Sequence, residues 1–335
     1  MTRQVKVIAE IGNTHEGSLG LAKQFVLACS ACGVNAVKFQ THIFSAESLL
    51  DAPNPPYFKD ESRKEYFERT AFTKRQWKEL KRFTEEECKL TFVSSPFSIE
   101  ALDLLEDVGV NVIKIPSGEV SNIPLLKECA KSGKTILLST GMSSMSELDR
   151  AVETLRSGNI KDLTVLQCTS KYPCPPEDAG LNIISQLKRR YELPVGFSDH
   201  TTGIAIPLAA VALGACVIEK HFTLSRLMYG SDAKNSMEPD DFKKLVLGIR
   251  EVEKALSSEL DKNVLVTQMA EMKRTFEKSI VASVEIKKGS KLKEDYFCYK
   301  KPGYGIPASQ YTQIIGRTVR RNIAMNTRIT WDDLE

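Results

Sequence analysis

The chain has 335 residues, of which 42% are hydrophobic and 27% charged, and its formal net charge is +3. This composition is typical of a folded globular protein and excludes a mainly disordered chain. The small net charge gives no support to a nucleic-acid-binding or membrane-surface protein. Because one hydrophobic core rarely extends over so many residues, the length predicts a large domain of about 250 residues and a smaller second one.

The first residues run directly into a strand pattern without the apolar stretch of a signal peptide, and no window reaches the length of a membrane span. The 8 cysteines are scattered through apolar runs, where they are typical of buried thiols rather than of a disulfide framework. We therefore expect a cytoplasmic protein without a membrane partner.

Eight short apolar runs alternate with helix-length amphipathic segments over residues 1–256. The runs are 5–11, 36–40, 90–94, 112–116, 135–139, 163–169, 194–198 and 216–221. This alternation predicts an α/β protein with a parallel sheet, and eight strands close a (β/α)8 TIM barrel. Residues 44–68 are too many and too polar for a simple turn, so they predict an excursion over the mouth of the barrel.

The last third of the chain changes in character. Residues 257–275 are polar and predict a linker. Residues 276–335 contain a strand-like alternation at 279–286 and a turn signal at 288–290, and they carry 11 Lys and Arg against 7 Asp and Glu. They predict a small, mostly β, basic domain near the lower size limit for an independent core.

Barrel enzymes carry their active sites at the carboxyl ends of the strands, so the polar residues that end the apolar runs are the candidates. They are Glu10, Lys38, Gln40, Ser94, Ser95, Lys114, Ser117, Glu119, Ser139, Thr169, Ser170, Ser198, His200, Glu219, Lys220 and His221. Lys38 and Lys114 stand in apolar strands, where a charge is costly to bury without a partner. Together they favour an anionic ligand; the alternative is that each pairs with a strand-end carboxylate such as Glu10.

Two of the 4 histidines, His200 and His221, fall at the ends of the last two neighbouring strands. Such a pair favours a shared metal ion over two structural histidines. Imidazole ligands completed by water or substrate oxygens leave Mn²⁺, Fe²⁺, Co²⁺ and Zn²⁺ open. The sequence has no Walker A loop, no G-x-G-x-x-G after the first strand and no G-x-S-x-G, which disfavours nucleotide-binding and serine-hydrolase functions.

Seven strand-end motifs, taken in chain order, resemble those of the sialic acid synthase family, which makes N-acetylneuraminate and related nonulosonates. They lie at residues 8–17, 37–40, 115–119, 138–142, 167–173, 196–200 and 219–224. Residues 279–334 are similar to the C-terminal antifreeze-like (SAF) domain of that family. The resemblance thus spans nearly the whole chain, and the ordered set of motifs is highly specific.

The resemblance implies a condensation of phosphoenolpyruvate with an open-chain N-acetylmannosamine-type sugar, which releases phosphate and gives a nine-carbon 2-keto sugar acid. Carried over by matching motif, the phosphoenolpyruvate-binding residues are Lys38, Ser95, Lys114, Ser117, Ser139 and Ser198. Glu10, Glu119 and Lys38 are implied as catalytic residues. Tyr172, Ser170, Asp232 and Lys301 are implied as contacts of the sugar. His200 and His221 are implied as ligands of a divalent metal ion, Mn²⁺ before Mg²⁺ or Co²⁺.

The resemblance also implies a domain-swapped homodimer, since in this family the small domain of one subunit caps the barrel of its partner. Two departures concern the acceptor sugar. The family often has Arg-Pro-Gly where this chain has Lys301-Pro302-Gly303, and a lysine lacks the planar fork of arginine. Some members carry Asn at the position of Ser170. Both changes leave the identity of the acceptor open.

The leading hypothesis is therefore an N-acetylneuraminate synthase. One alternative is a legionaminate or pseudaminate synthase that uses a 2,4-diacetamido-trideoxy hexose. A synthase for a phosphorylated sugar would need a further cationic pocket, for which the sequence offers no clear candidate. A hypothesis of another class, a carbohydrate- or ice-binding protein acting through its C-terminal domain, is disfavoured by the many lysines and arginines of that domain and by the strand-end lysines and histidines.

Overall fold

The computed structural model describes residues 4–54 and 61–335. It divides into two compact units, Met1–Ser257 and Ser258–Glu335, each with a hydrophobic core of its own. Residues 55–60, which belong to the excursion predicted at 44–68, lie outside the described residues. Among the described residues, no helix is both long and apolar enough to cross a membrane.

The first unit is a closed barrel of eight parallel strands in chain order, in which the eighth strand pairs with the first. The strands are β1 (Lys6–Gly12), β2 (Ala36–Thr41), β3 (Thr91–Pro96), β4 (Val112–Ile115), β5 (Thr135–Ser139), β6 (Asp162–Cys168), β7 (Val195–Asp199) and β8 (Val217–His221). The predicted (β/α)8 barrel is confirmed, and the strand ends differ from the predicted runs by one or two residues.

Helices cover the outside of the barrel and fill the connections between strands. They are α1 (Leu19–Ala31), α2 (Phe44–Glu47), α3 (Arg63–Thr70), α4 (Lys74–Arg82), α5 (Ile99–Val108), α6 (Ile123–Lys131), α7 (Met145–Arg156), α8 (Leu181–Tyr191), α9 (Ala205–Ala212) and α10 (Pro239–Ser257). The N-terminus of helix α7 is stabilised by hydrogen bonds between residues that are close in sequence. Ser144 accepts a hydrogen bond from the backbone N–H of Glu147, whose carboxylate accepts one from the N–H of Ser144 at 2.8 Å.

The two-residue period of the strands sorts their side chains between two environments. Along β1, Val7, Ala9 and Ile11 pack in the core between strands and helices, whereas Ile8 belongs to a separate small cluster. The members of that cluster come from several strands: Ile8, Ala36, Val93, Leu137, Leu166 and Val217. They form an apolar layer inside the barrel. Two residues further along, the same faces carry polar residues such as Glu10, which therefore lie at the carboxyl end.

The second unit contains the short antiparallel pair β9 (Ser279–Ala282) and β10 (Phe297–Lys300), the helices α11 (Lys262–Gln268) and α12 (Ala270–Phe276), and the single-turn α13 (Tyr311–Ile314). Isolated bridges such as Ile286 with Ile323 complete a small mostly β fold. The segment predicted as a linker, 257–275, is largely helical. Its helices bury no residue, although the apolar residues Leu265, Met269, Met272 and Phe276 recur at helical spacing in the sequence.

Candidate active site

A cavity of about 480 Å³ lies at the carboxyl ends of the barrel strands. Most of the residues selected from the sequence line it: Glu10, Lys38, Lys114, Ser117, Ser139, Ser170, Tyr172, Ser198, His200 and His221. They come from seven different strands or the loops that follow them, so the closed sheet itself brings them together. In the register of the barrel Glu10 stands beside Lys38 on one side and beside His221 on the other.

Four further predicted residues are not among those that line the cavity. Ser95 is fully buried next to it and lies 3.3 Å from the Nζ of Lys38 as a hydrogen-bond acceptor. Asp232 lies against β1, where its Oδ2 is so close to Gly12 that an added Cβ would approach it to 2.5 Å. Glu119 ends a short 3-10 turn, Ser117–Glu119, and accepts a 2.7 Å hydrogen bond from Asn122. Burial raises the pKa of both carboxyl groups.

Lys301 belongs to the second unit. Its Nζ lies 5.0 Å from the ring centre of Phe276, and with Lys300 and Arg328 it lines a basic cavity of about 680 Å³. Three of the 11 lysines and arginines of residues 276–335 thus lie around one depression of this unit.

Both buried lysines are ion-paired within the barrel. The Nζ of Lys38 is 2.9 Å from the Oε1 of Glu10, and the Nζ of Lys114 is 2.8 Å from the Oε1 of Glu219. Lys38 and Glu219 are also only 3.8 Å apart, which joins the two pairs into one network. The alternative considered from the sequence, pairing with strand-end carboxylates, therefore describes the lysines in this structure. Glu219 is a partner to which the sequence assigned no role.

The network controls the charge of its members. Burial disfavours ionisation of Glu219, but Lys114 and Lys38 outweigh this effect and hold its pKa below the ordinary range. Burial would lower the pKa of Lys38, yet Glu10 and Glu219 raise it above the ordinary value. Lys38 is thus a cation and Glu219 an anion. In both carboxylates Oε1 is engaged, whereas Oε2 is buried without a hydrogen-bond partner among the described residues, which leaves each with one free acceptor.

Serine hydroxyls surround this network. The Oγ of Ser198 donates to Glu219 at 3.1 Å, and the Oγ of Ser117 accepts a 3.0 Å hydrogen bond from the backbone of Gly141. Gly141 is required by close packing, since a Cβ there would lie 2.3 Å from the Oγ of Ser170 and 2.9 Å from the Sγ of Cys168. The backbone therefore approaches the cavity wall as closely as a glycine allows.

The two histidines face each other with their ring centres 5.5 Å apart, and the ring of Tyr172 lies 4.2 Å from that of His200. The Nδ1 of His200 donates to the carbonyl oxygen of Thr169 at 2.9 Å, so a neutral ring carries its lone pair on Nε2. Burial lowers the pKa of His221 to about 3, and its Nδ1 is buried without a hydrogen-bond partner within the described ranges.

These properties fit a metal ion. A neutral imidazole with an unpartnered nitrogen, beside a second imidazole whose orientation is fixed by a backbone carbonyl, is a ligand arrangement common in metalloproteins. In residues 4–54 and 61–335 no cluster of three His, Cys, Asp or Glu side chains could hold a metal. Any ion held here would take its remaining ligands from water or substrate oxygens.

Cys168 is a further cavity residue that sequence reasoning passed over. Its Sγ is 3.8 Å from the Nδ1 of His200 and 3.8 Å from the Oγ of Ser117. Burial raises the pKa of the thiol, but the contact with His200 outweighs burial and lowers it to about 6. The sequence placed this residue in an apolar strand and gave no signal for its polar surroundings.

Arg63, the first residue of α3, also lines the cavity and was missed. Its Nη1 donates to Ser48 at 3.4 Å, and its Nε is buried without a partner among the described residues. Within that part of the chain it has no carboxylate partner, in contrast to Lys38 and Lys114. Arg63 thus adds a positive charge to the cavity that no carboxylate of residues 4–54 and 61–335 neutralises. Its position in a long polar connection gave no motif from which this could be predicted.

The fold and the location of this cavity define a barrel enzyme whose active site lies at the carboxyl ends of the strands. The chain belongs to the NeuB family, whose model matches residues 25–261. Residues 277–335 match the SAF domain. The resemblance to sialic acid synthases with a C-terminal SAF domain is therefore confirmed.

Known relatives cover almost the whole chain. The N,N'-diacetyllegionaminic acid synthase of Campylobacter jejuni is 39% identical over 331 residues, which cover 96% of this chain and 97% of that protein. The N-acetylneuraminate-9-phosphate synthase of Homo sapiens is 36% identical, with 93% of this chain and 88% of that protein covered. The crystal structure of N-acetylneuraminic acid (sialic acid) synthetase from Leptospira borgpetersenii has a TM-score of 0.70 at 34% identity and covers 82% of this chain and 93% of that one. The chain is accordingly a phosphoenolpyruvate-dependent, carbon–carbon bond-forming synthase, as the sequence predicted.

Proposed function

We propose that the enzyme is a sialic acid synthase, which condenses phosphoenolpyruvate with an open-chain N-acetylmannosamine-type sugar to give N-acetylneuraminate and phosphate. The observation that carries this proposal is the convergence of two lysines, an arginine and several serine hydroxyls in one cavity of about 480 Å³. Such a cavity suits an anionic substrate next to a polyhydroxylated one. The family membership gives the reaction class, and the particular acceptor is the proposed part.

In this proposal the phosphate and carboxylate of phosphoenolpyruvate bind the ammonium groups of Lys38 and Lys114 and the hydroxyls of four serines. These serines are Ser95, Ser117, Ser139 and Ser198. Each ammonium has three N–H donors, so a lysine that is paired with a glutamate keeps donors for the substrate. Glu10 and Glu219 hold the ammonium groups in place before the substrate arrives. The same cations then stabilise the phosphate as it departs.

His200 and His221 are proposed to hold a divalent metal ion, Mn²⁺ in the first place and Mg²⁺ or Co²⁺ as alternatives. The unpartnered Nδ1 of His221 and the carbonyl-anchored ring of His200 support this assignment. When bound, the ion supplies Lewis-acid stabilisation of the negative charge that develops on the aldehyde oxygen of the sugar. Tyr172, which packs against His200, would shield this side of the cavity from water.

The carbon chemistry needs one water molecule and no covalent enzyme intermediate. The methylene carbon of phosphoenolpyruvate uses the electron pair of its double bond to form the new bond to the aldehyde carbon. The π pair of the aldehyde moves onto its oxygen, which takes up a proton and becomes a hydroxyl. The neighbouring carbon becomes electron-poor and adds water, which loses a proton. The tetrahedral species then collapses by cleavage of its carbon–oxygen bond to phosphate, and the 2-keto acid remains.

Two carboxyl groups are proposed to move the protons. The Oε2 of Glu10, which has no partner among the described residues, would hold the sugar hydroxyl or take up a proton. Burial raises the pKa of Glu119, which favours its carrying a proton during the transfer. The positions of these two groups support separate roles, because Glu10 lines the cavity and Glu119 lies on the turn beside it.

The acceptor side is proposed to consist of Tyr172, Ser170, Asp232 and Lys301. A second candidate acceptor, a 2,4-diacetamido-trideoxy hexose of the kind used for legionaminate, is favoured by one specific finding. The N,N'-diacetyllegionaminic acid synthase of Campylobacter jejuni is 39% identical to this chain.

We also propose a domain-swapped homodimer, in which the SAF domain of a second copy brings Lys301 to the barrel. The basic cavity around Lys301 supports a role in contacting a polar group. The dimer would be detected by light scattering. Catalytic sharing would appear when an inactive barrel variant and a Lys301→Ala variant regain activity on mixing. The enzyme is proposed to work in the cytoplasm, where its eight free cysteines stay reduced.

The acceptor is tested by incubating metal-stripped enzyme with phosphoenolpyruvate and one sugar, with and without Mn²⁺, and measuring phosphate and 2-keto acid. Turnover with N-acetylmannosamine supports the sialic acid synthase. Turnover restricted to the 2,4-diacetamido-trideoxy hexose moves the acceptor to the legionaminate type, and turnover restricted to N-acetylmannosamine 6-phosphate overturns both. Equal rates with and without metal would contradict the metal dependence.

The metal ligands are tested by titrating Mn²⁺ into the wild type and into His200→Ala and His221→Ala, with free Mn²⁺ followed by electron paramagnetic resonance. Each variant is expected to lose tight binding while its circular dichroism stays unchanged. Cys174→Ser, a buried thiol outside the cavity lining, is the matched control and is expected to bind as the wild type. Unchanged Mn²⁺ binding in both histidine variants would show that these residues are not the ligands.

A further inference from the structure

His42 lies one residue beyond β2 and is held between two aromatic rings. Its ring centre is 3.8 Å from that of Phe67 and 4.0 Å from that of Phe97, and the interplanar angles are 8° and 22°. Only 7% of its side chain is exposed. The two phenyl faces exclude water and fix the plane of the imidazole, so its nitrogens point in two defined directions.

Both ring nitrogens of His42 meet oxygen atoms. Nδ1 lies 2.8 and 3.1 Å from the two carboxylate oxygens of Glu47, and Nε2 lies 3.1 Å from the Oε1 of Gln40. The amide of Gln40 in turn donates from its Nε2 to the Oε1 of Glu10 at 2.8 Å. A continuous chain of hydrogen bonds therefore leads from Glu47 through His42 and Gln40 to Glu10.

The orientation of the Gln40 amide follows from its partners. The carboxylate of Glu10 accepts hydrogen bonds, so the NH₂ group of the amide must face it and the amide oxygen must face His42. A flipped amide would place two oxygen atoms 2.8 Å apart. Nε2 of His42 meets an amide oxygen and Nδ1 meets a carboxylate, so both nitrogens face acceptors, a geometry that suits a ring with a proton on each nitrogen.

This chain of hydrogen bonds has a defined effect on Glu10. Oε1 of Glu10 receives Gln40 and Lys38, whereas Oε2 has no partner in the described part of the chain. As long as the amide is fixed, Oε1 stays engaged and Oε2 is the oxygen left for reacting groups. Without His42 the amide oxygen would lose its partner, and Glu10 alone would hold the amide.

We propose that His42 is a positioning residue, which is held as an imidazolium by Glu47, fixes the Gln40 amide and thereby aims the free oxygen of Glu10 into the cavity. The catalytic meaning of this inference rests on the proposed role of Glu10. The hydrogen-bond chain itself is independent of which sugar is the acceptor.

The first test observes the protons of the enzyme without substrate. The protein is labelled with ¹⁵N-histidine, and long-range ¹H–¹⁵N correlations are recorded at pH 7; with only 4 histidines, the His42→Phe variant assigns the signal. Two protonated nitrogens are expected for His42 in the wild type, and a neutral single tautomer in Glu47→Gln. A neutral tautomer in the wild type would overturn the proposal.

The second test separates positioning from folding. His42→Phe keeps a ring between Phe67 and Phe97 but removes both hydrogen bonds, so the fold is expected to persist while kcat falls about 10- to 100-fold. The KM for phosphoenolpyruvate is expected to stay within about twofold, since the lysines are untouched. Glu47→Asp, which keeps the charge, should recover part of the kcat lost in Glu47→Gln.

A wild-type kcat in His42→Phe would overturn the positioning role even if the spectrum shows an imidazolium. A wild type that turns over none of the acceptors would instead contradict the proposed function, and the positioning role would fall with it. The two failures are distinguishable, because the first leaves the wild type active.

Discussion

Lys114 and Glu219 form an ion pair of 2.8 Å across the barrel mouth, although 105 residues separate them in the chain. Their side chains are only 3% and 6% exposed, so water cannot replace a missing partner. Glu219 also accepts the hydroxyl of Ser198. The pair is therefore both a structural element and the support of a cation that faces the cavity.

Replacing Lys114 by Met should destabilise the barrel, because the length of the side chain is kept while the buried charge of Glu219 loses its nearest cation and keeps only Lys38 at 3.8 Å. Loss of one partner of a buried pair typically costs about 3–5 kcal/mol. The free energy of unfolding, measured by urea denaturation, should fall by this amount. Turnover should be lost as well.

The matched control is Lys131→Met, which removes the exposed Lys131–Glu128 pair on α6. Its stability is expected to stay within about 0.5 kcal/mol of the wild type. If Lys114→Met and Lys131→Met had the same stability, the buried network would have no special energetic role.

Gly141→Ala should damage the cavity, because a Cβ at this position would lie 2.3 Å from the Oγ of Ser170 and 2.7 Å from that of Ser117. Overpacking of this kind typically costs about 1–3 kcal/mol. Gly118→Ala is the control, since its Cβ would meet only the end of Met142 at 3.7 Å. The midpoint temperature of thermal unfolding and the turnover rate should both fall for Gly141→Ala. Both should be nearly unchanged for Gly118→Ala. Equal behaviour of the two variants would contradict the close packing described here.

Arg63→Gln should weaken the binding of phosphoenolpyruvate, because it removes the one cavity cation without a carboxylate partner in the described part of the chain. A charged hydrogen bond contributes about 1.5–3 kcal/mol, so we expect the dissociation constant to rise by about 10- to 100-fold. Calorimetry with phosphoenolpyruvate alone measures this without turnover.

Lys64→Gln, next to Arg63 on the same helix and half exposed, removes the same charge away from the cavity lining and should bind as the wild type. An equal loss of affinity for phosphoenolpyruvate in both variants would indicate a general charge effect instead of a contact between Arg63 and the substrate. A loss confined to the KM of the sugar would place Arg63 on the acceptor side.

His15 should make the barrel less stable in acid. It is fully buried against Phe72, and burial lowers its pKa to about 3, whereas in the unfolded chain it has the ordinary value of about 6.5. Below pH 6.5 the unfolded state therefore binds a proton that the folded state does not. The free energy of unfolding consequently decreases as the pH is lowered. Between pH 6.5 and 5 this residue alone should remove about 2 kcal/mol.

The measurement compares urea denaturation of the wild type and of His15→Leu at several pH values. The variant should gain about 2 kcal/mol relative to the wild type as pH falls from 6.5 to 5. Their difference should be constant between pH 7 and 8. A difference that is the same at every pH would mean that His15 titrates alike in both states.

Most of the barrel was predictable because its signals are local. The alternation of apolar runs and amphipathic helices gave all eight strands, and the polar residue at each strand end gave most of the cavity lining. The helices α11 and α12 were not predicted, because the polar composition of residues 257–275 indicated a linker, although Leu265, Met269, Met272 and Phe276 recur at helical spacing. Arg63 was missed for a related reason, as it lies in a polar connection whose path the sequence pattern does not define.

The sequence by itself determined the number of strands, the face on which each polar side chain lies and the family to which the chain belongs, because these depend on residue type and spacing. Only the tertiary structure decided which charges pair. Lys38 and Lys114 could have been open cations, but closure of the barrel brings Glu10 and Glu219 within 3 Å of them. It also placed His42 between Phe67 and Phe97. Such partners come from distant parts of the chain, and their distances are set by the closure and packing of the whole barrel, which no local pattern records.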